Sequence, residues 1–334
     1  MLRSETAASP ERRAAALAGL AAFQQAPRAP RGRPAPARYR KGRARLRDYG
    51  APAGGGRPVI LVPSLINPPF ILDLAPEVSI VKWLRSQGFH PFLLDWGCPL
   101  PADRDLDLTA HVAQRLLPLI AKFDQPPVLI GYCLGGTMAL AAACTTRIAG
   151  LALIATPWRY AGFGSAARAA IADLWRTAQP TCRALGLVPM EVLQAGFWRL
   201  DPAKTIAKYE AFGRLVPGSA AAASFVALED WANAGAPLPY ATGRQLFEDF
   251  VTDDTPGNGA WRVDGSVVAP AALDCPAIEF VSLNDRIVPA ASAADLPDRH
   301  DLGAGHVGMI VGRGARAQLW EPLAHWLNGL PDPR

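Results

Sequence analysis

The sequence predicts an open α/β sheet, mostly parallel, with helices on both faces and an inserted helical cap. Three observations point to it. Over residues 57–155, short and nearly continuous apolar runs alternate with amphipathic stretches, the pattern of parallel strands buried on both faces. At residues 127–144 an apolar run, a glycine-framed turn and a small-residue helical pattern follow one another without a spacer. Over residues 158–273 the alternation stops and helical patterns broken by Pro and Gly take over, before Ala277-Ile-Glu-Phe-Val-Ser282 resumes it.

The elements follow in chain order. Residues 14–23 read as a short amphipathic helix. Residues 24–56 hold Pro27, Pro30, Pro34 and Pro36, nine Lys and Arg, and Gly54-Gly55-Gly56. Apolar periodicity is missing there, so residues 1–56 read as a basic, Pro/Ala/Arg-rich flexible arm, separable from the body. Arg57-Pro-Val-Ile-Leu-Val62 is the first buried strand of the body. Pro76-Glu77 opens a helix running to Gly88, with Val78, Val81, Trp83 and Leu84 on one stripe. His90-Pro-Phe-Leu-Leu-Asp95 is the next strand, residues 108–123 a second helix, and Pro127-Val-Leu-Ile130 and Gly150-Leu-Ala-Leu-Ile-Ala155 two more strands. The body is then residues 57–157 and 274–330, with residues 158–273 inserted as the cap. Helical pieces fall at 166–178, 202–215 and 244–250, with Trp175, Trp198, Trp231 and Trp261 among them, and such caps roof active sites. A helix at 315–327 closes the chain on the sheet through Leu319, Leu323 and Trp326.

Composition excludes several classes. A chain of 334 residues, half of them hydrophobic, can bury one large core. Its net charge of +5 is misleading as a whole, because residues 1–50 carry twelve Lys and Arg against Glu5, Glu11 and Asp48, leaving the body net acidic. The body therefore offers no electrostatic case for nucleic acid. Five widely spaced cysteines without a CxxC pair argue against a disulfide framework or a zinc site and fit a reducing cytoplasm. No uninterrupted apolar run approaches the ~18 residues needed to span a bilayer.

The stretch Gly131-Tyr132-Cys133-Leu134-Gly135-Gly136 organises the chain. Strand, sharp turn and helix in this order form a nucleophile elbow, in which glycines two before and two after the nucleophile let strand and helix approach. Cys133 occupies the nucleophile position. Helix N-termini favour thiolates, and thiolates attack thioesters readily. In this arrangement an acid and then a His follow the nucleophile, each on a loop after a strand. Asp285 stands in Leu283-Asn-Asp-Arg-Ile-Val-Pro289 after the strand ending at Ser282, and His306 stands in Gly303-Ala-Gly-His306. His90, His111, His300 and His325 fall on strands, on helices or before the last strand. The amide of Leu134, next after the nucleophile, is the first expected oxyanion donor. The second comes from Pro63-Ser-Leu-Ile-Asn67, with Leu65 the choice and Ser64 close behind.

These residues carry a resemblance. Val62-Pro-Ser-Leu-Ile-Asn67 with Ile71-Leu-Asp-Leu74, Ser79 to Trp83, Asp95-Trp-Gly97 and Gly131 to Thr137 resemble the polyhydroxyalkanoate synthase family, of the α/β-hydrolase superfamily, in order and spacing. Asn284 to Pro289 and Gly305-His-Val-Gly308 are similar to that family's acid and His segments. The resemblance covers residues 57–330 in outline. It implies an α/β-hydrolase fold, a triad of Cys133, His306 and Asp285, and transfer of 3-hydroxyacyl groups from CoA thioesters to a growing polyester. Acyl-CoA is then a substrate and no cofactor is expected. The size is closer to synthases that work with a second subunit, so that subunit or a second copy is the candidate partner, and residues 1–50 are the candidate contact with a granule surface. Two other readings stay open: a cysteine hydrolase acting on acyl thioesters or on the polyester, and a non-catalytic granule or partner subunit.

Overall fold

The computed structural model describes residues 2–53 and 55–331. Eight strands form one sheet: β1 (Ala37–Lys41), β2 (Ala44–Asp48), β3 (Pro58–Val62), β4 (His90–Asp95), β5 (Val128–Tyr132), β6 (Gly150–Ile154), β7 (Ala277–Ser282) and β8 (Arg299–Leu302), in the order β1-β2-β4-β3-β5-β6-β7-β8. The strands from β4 to β8 run parallel, while β1 and β2 are antiparallel to each other and β2 is antiparallel to β4. The longer helices among the described residues are α1 (Pro10–Gln25), α2 (Ile80–Ser86), α3 (108–120), α4 (Leu134–Ala143), α5 (Ser165–Leu185), α6 (Met190–Leu200), α7 (Pro202–Phe212), α8 (Ala220–Asn233), α9 (240–252) and α10 (316–328).

The period-2 alternation of the strands divides the core into two layers. Ile60, Val62 and Leu129 face one side, against Leu108, Val112 and Leu116 of α3 and the small-residue helix α4. Val59, Leu61, Val128, Ile130 and Tyr132 face the other, against Ile80, Val81 and Leu84 of α2 and Leu319, Leu323 and Leu327 of α10. The chain winds from β3 out to β4 and then crosses back to β5, so the loops after β3 and β5 lie side by side. In open α/β sheets this reversal of strand order is where ligands bind, beyond the C-terminal strand ends.

Between β6 and β7 the described residues add no strand to this sheet; α5 to α9 occupy the segment instead. Trp175, Val188, Met190, Leu193, Leu238 and Phe247 give it an apolar cluster of its own. The periodicity finds three of its helices but misses α6 and α8. Helix α2 starts later than Pro76, because Ala75 and Val78 bridge in a tight turn and Ser79 caps the helix by accepting from the Lys82 amide. His300 lies within β8 rather than before it.

The largest correction concerns residues 1–56, where the expected flexible arm gives way to built structure. Residues 37–48 form the β1–β2 hairpin on the sheet, with Ala44 and Leu46 fully buried. Their alternation is real but is written in Arg: Arg45 and Arg47 reach Asp95 from β2, at 3.4 and 2.6 Å, while Ala44 and Leu46 point inward. The helix expected at 14–23 extends to Pro10–Gln25 and packs on α7, burying Ala16, Gly19 and Phe23 at i, i+3 and i+7. A Cβ at Gly19 would stand 1.9 Å from the Tyr209 carbonyl oxygen, so the two helices touch through backbone. Phe23 sits among Tyr209, Phe212 and Phe225, with ring centroids 5.8–6.2 Å away. Arg12 pairs with Glu210 at 2.7 Å, and Arg28 closes the C-terminal carbonyls of α1 while pairing with Asp230 of α8.

Candidate active site

Cys133 joins β5 to α4 with φ 56° and ψ −134°. This is a positive-φ backbone that costs a side-chain-bearing residue about 1–3 kcal/mol and persists only where the surroundings over-determine it. Here they do. The Cys133 amide donates to the Ile154 carbonyl at 2.9 Å, and its own carbonyl accepts from the Gly136 amide at 2.8 Å. A Cβ at Gly131 would stand 2.3 Å from Gly136 Cα, and one at Gly135 would stand 2.2 Å from the Val62 carbonyl oxygen. Strand, turn and helix therefore meet at distances that exclude side chains, and the thiol is carried half-buried to the C-terminal end of the sheet.

Asp285 and His306 arrive from the loops after β7 and β8. The Asp285 carboxylate accepts the amides of Ile287 (2.7 Å) and Val288 (2.9 Å) on Oδ1 and faces His306 Nδ1 with Oδ2 at 2.6 Å. A carboxylate only accepts, so Nδ1 carries the proton and Nε2 is left for the cavity. Both side chains are buried. Burial alone pushes the imidazole below its ordinary value, but the charges of Cys133 and Asp285 and their side-chain bonds to it outweigh this and raise His306. The loop bearing His306 is tied from below: Ser282 Oγ donates to the Ala304 carbonyl, Asn284 Nδ2 to that of Gly303 (2.8 Å), and Tyr132 OH to that of His306 (3.2 Å).

The four other histidines lie elsewhere. His90 is bonded to Asp48 at 2.7 Å, His111 is buried against the Asp107 carbonyl and lowered by that burial to about 4, His300 packs on Phe280, and His325 lies on α10. Leu134 opens α4, buried, immediately after the thiol. Leu65 is half-buried and turns its side chain to the apolar layer around α3 and α4, while its neighbours Ser64 and Ile66 line the cavity. The Ile66 amide is already donated to Ser64 Oγ at 3.1 Å.

Cys133 and His306 open into a cavity of about 190 Å³. The loop after β3 supplies one wall, with Ser64, Ile66 and Asn67; Phe197 and Trp198 of α6, Lys208 of α7 and Trp231 of α8 supply the roof. Two bonds stitch roof to wall: Trp231 Nε1 donates to the Pro68 carbonyl (2.9 Å) and Asn67 Nδ2 to that of Ala232 (3.3 Å). Lys208 is held by Glu229 at 2.8 and 2.7 Å, and Tyr209 OH donates to the same carboxylate. Sequence reasoning placed Trp198 and Trp231 in the cap but passed over Lys208 and the Glu229 that holds it, for which only helical spacing was available as a signal. A larger hollow of about 780 Å³ lies at the opposite, N-terminal end of the strands, lined by Ile148, Ala149, Cys144, Cys275 and Pro276. Burial raises the thiols of Cys144 and Cys275, the latter to about 11 with help from Asp274, which disfavours the thiolate in this hollow. No helix among the described residues is long and apolar enough to cross a membrane.

Comparison with known proteins agrees with this fold. Residues 59–317 match the alpha/beta hydrolase family. Among curated relatives, the "Poly(3-hydroxyalkanoate) polymerase subunit PhaC" of Haloferax mediterranei is 28% identical over 285 residues, covering 80% of this chain and 58% of the relative. The protein of the same name from Haloarcula marismortui is 26% identical over 315 residues, covering 87% of this chain and 66% of the relative. The chain thus spans 58% of the length of the first of these relatives and 66% of the second. A monoacylglycerol lipase from Paleococcus ferrophilus shares the fold at a TM-score of 0.50 and 14% identity, covering 84% of this chain and 97% of that one. The strand order, the positive-φ turn after β5 and a family match over residues 59–317 lead to one conclusion: the chain belongs to the alpha/beta hydrolase family.

Proposed function

We propose that this protein is an acyltransferase of the polyhydroxyalkanoate synthase kind, moving 3-hydroxyacyl groups from CoA thioesters to a growing polyester. The observation that carries the reading is the side chain at the elbow: a thiol, not a hydroxyl, at a positive-φ turn beside a His whose Nδ1 is bound by Asp285. The similarity to two archaeal polymerase subunits supports it. In the first half-reaction Cys133 Sγ attacks the thioester carbonyl, the C–S bond to CoA breaks, and CoA leaves as the thiol with a proton from His306. Exchange of one thioester for another is nearly balanced. In the second, His306 Nε2 takes the proton of an incoming hydroxyl, whose oxygen attacks the acyl-cysteine, forming an ester and freeing the Cys133 sulfur. The amides of Leu134 and Leu65 hold the oxyanion in both steps. The chemistry needs no cofactor. The apolar side chains of Phe197 and Trp231, with the partly exposed Trp198, favour the hydroxyl over water in this reading. A second synthase subunit or a second copy, and a granule surface in the cytoplasm, are the proposed partners.

Incubation with 3-hydroxybutyryl-CoA tests the reading when CoA release and product size are followed together. Release of CoA with growth of insoluble polymer is expected. Release with free hydroxy acid would make the protein a hydrolase, and no release at all would leave the non-catalytic subunit.

A further inference from the structure

The His306 loop leaves open space at its glycines. A Cβ at Gly303 would meet no atom within 4 Å, and one at Gly305 would meet only the Asn284 carbonyl oxygen at 3.9 Å. A base that must address a thiol on one side and a carboxylate on the other therefore depends on the bonds that tie this loop. Tyr132 supplies the one at His306 itself, and a ring contact besides. It is the last residue of β5, hydrogen-bonded in register with Ile154 of β6, and only 3% exposed. Because side chains alternate along the strand, it points to the face opposite α4, under the His306 loop. Its ring stacks on the imidazole with centroids 5.1 Å apart and planes 28° from parallel, and its hydroxyl donates to the His306 carbonyl at 3.2 Å.

We propose that Tyr132 is a positioning residue for the catalytic base, its ring fixing the plane of the imidazole and its hydroxyl fixing the backbone that carries it. The inference rests on the role proposed above for Cys133 and His306. Two contacts divide the work. Asp285 sets which nitrogen faces the cavity, and a flat partner across the ring restricts rotation about the Nδ1 bond. Burial keeps the phenol protonated well above its ordinary value, with Cys133 and Asp285 adding to the effect, so the donor is present throughout the working range. A misalignment of about 1 Å at a reacting group can cost on the order of 10²-fold in rate. The benefit should therefore appear in turnover more than in substrate binding, because the ring and hydroxyl contacts of Tyr132 go to the base, although Tyr132 also borders the cavity.

Tyr132→Phe keeps the ring and loses the hydroxyl; Tyr132→Leu loses both. Each full-length variant is compared with the wild type in kcat and KM for CoA release from 3-hydroxybutyryl-CoA. In parallel, the rate of Cys133 alkylation by iodoacetamide is measured across pH, a readout that needs no assumption about substrate. For variants whose melting curves stay cooperative, kcat should fall about 10-fold in Tyr132→Phe and about 100-fold in Tyr132→Leu with KM unchanged, and the pH profile of alkylation should shift in Tyr132→Leu and stay in place in Tyr132→Phe. If the wild type releases no CoA, the proposed function fails while the alkylation profile still decides the role of Tyr132. A rise in KM at constant kcat, or an alkylation profile identical in all three proteins, would overturn it. Tyr132→Phe is nearly isosteric, so it keeps the test open should Tyr132→Leu not fold.

Discussion

The turn at Cys133 and the segment that begins the chain hold the molecule by different means. At the turn, most of what enforces the backbone is local, a strand, three residues and a helix within residues 128–144, closed by the neighbouring strands' carbonyls of Val62 and Ile154. The first fifty residues are held by partners far along the chain. Arg28 answers to Asp230, Gly19 to Tyr209, Leu46 to Leu94. The lesson is that a sequence window announces strain and chemistry far better than it announces long-range packing. In the first region a change should strike turnover and spare the fold, and in the second the order should reverse.

The sharpest break of that contrast is Cys133→Ala, expected to abolish CoA release while leaving the melting temperature nearly unchanged, with Cys133→Ser retaining little activity. Near-wild-type release from the alanine variant, or inactivation by alkylation elsewhere while Cys133 stays free, would remove the elbow from the chemistry. A milder loss, roughly 10²–10⁴-fold, is expected of Asp285→Asn, which keeps the shape but presents the wrong partner to Nδ1. The same variant has a pH signature. His306 is raised in the folded protein, so its protonated pair contributes stability that is fully present below its ordinary value of 6.5 and is lost as pH rises through the raised value. Removing the Asp285 charge should move the alkaline limb of Cys133 alkylation to lower pH, and an unmoved limb would mean that the thiol alone sets it.

The candidate site was legible because its parts are sparse and ordered. Cys133 has glycines on both sides, Asp285 follows a strand ending in Ser282, and His306 is the one histidine on a small-residue loop. The eight-strand sheet was legible from β3 to β7 for the same local reason: Val59-Ile-Leu-Val62 and its counterparts can only be buried. Residues 37–48 were not, since an Arg-rich composition hid an alternation whose inward members are only Ala44 and Leu46 and whose charge partner, Asp95, lies far along the chain. Helices α6 and α8 were missed because Pro and Gly at their flanks look like loop, and what makes them helical is the roof they build over Cys133. The role of Tyr132 was hidden in plain view, as its ring matters only once the His306 loop is folded back onto β5.

The smallest effect on chemistry, and the largest on the fold, should come from deleting residues 1–50. With two sheet strands, the Phe23 cluster and the Arg28 clamp removed, a fall in melting temperature on the order of 10 °C is expected, at roughly 2–4 °C for each kcal/mol lost. An unchanged melting curve would restore the separable arm.

The hairpin has a further consequence for how the molecule keeps to itself. In the intact chain the outermost strand on this side is β1, whose Arg38, Arg40 and Lys41 are exposed and crowd its unpaired backbone with positive charge, a device that discourages another chain from adding itself there. Strip it away and β4 becomes the edge, presenting the peptide groups of Phe92, Leu93 and Leu94 that β2 now occupies. An unpaired edge of this kind, apolar between Pro91 and Asp95, is a template for intermolecular pairing. The cost of losing the first fifty residues would therefore be read in light scattering as well as in the melting curve, as self-association that grows with protein concentration.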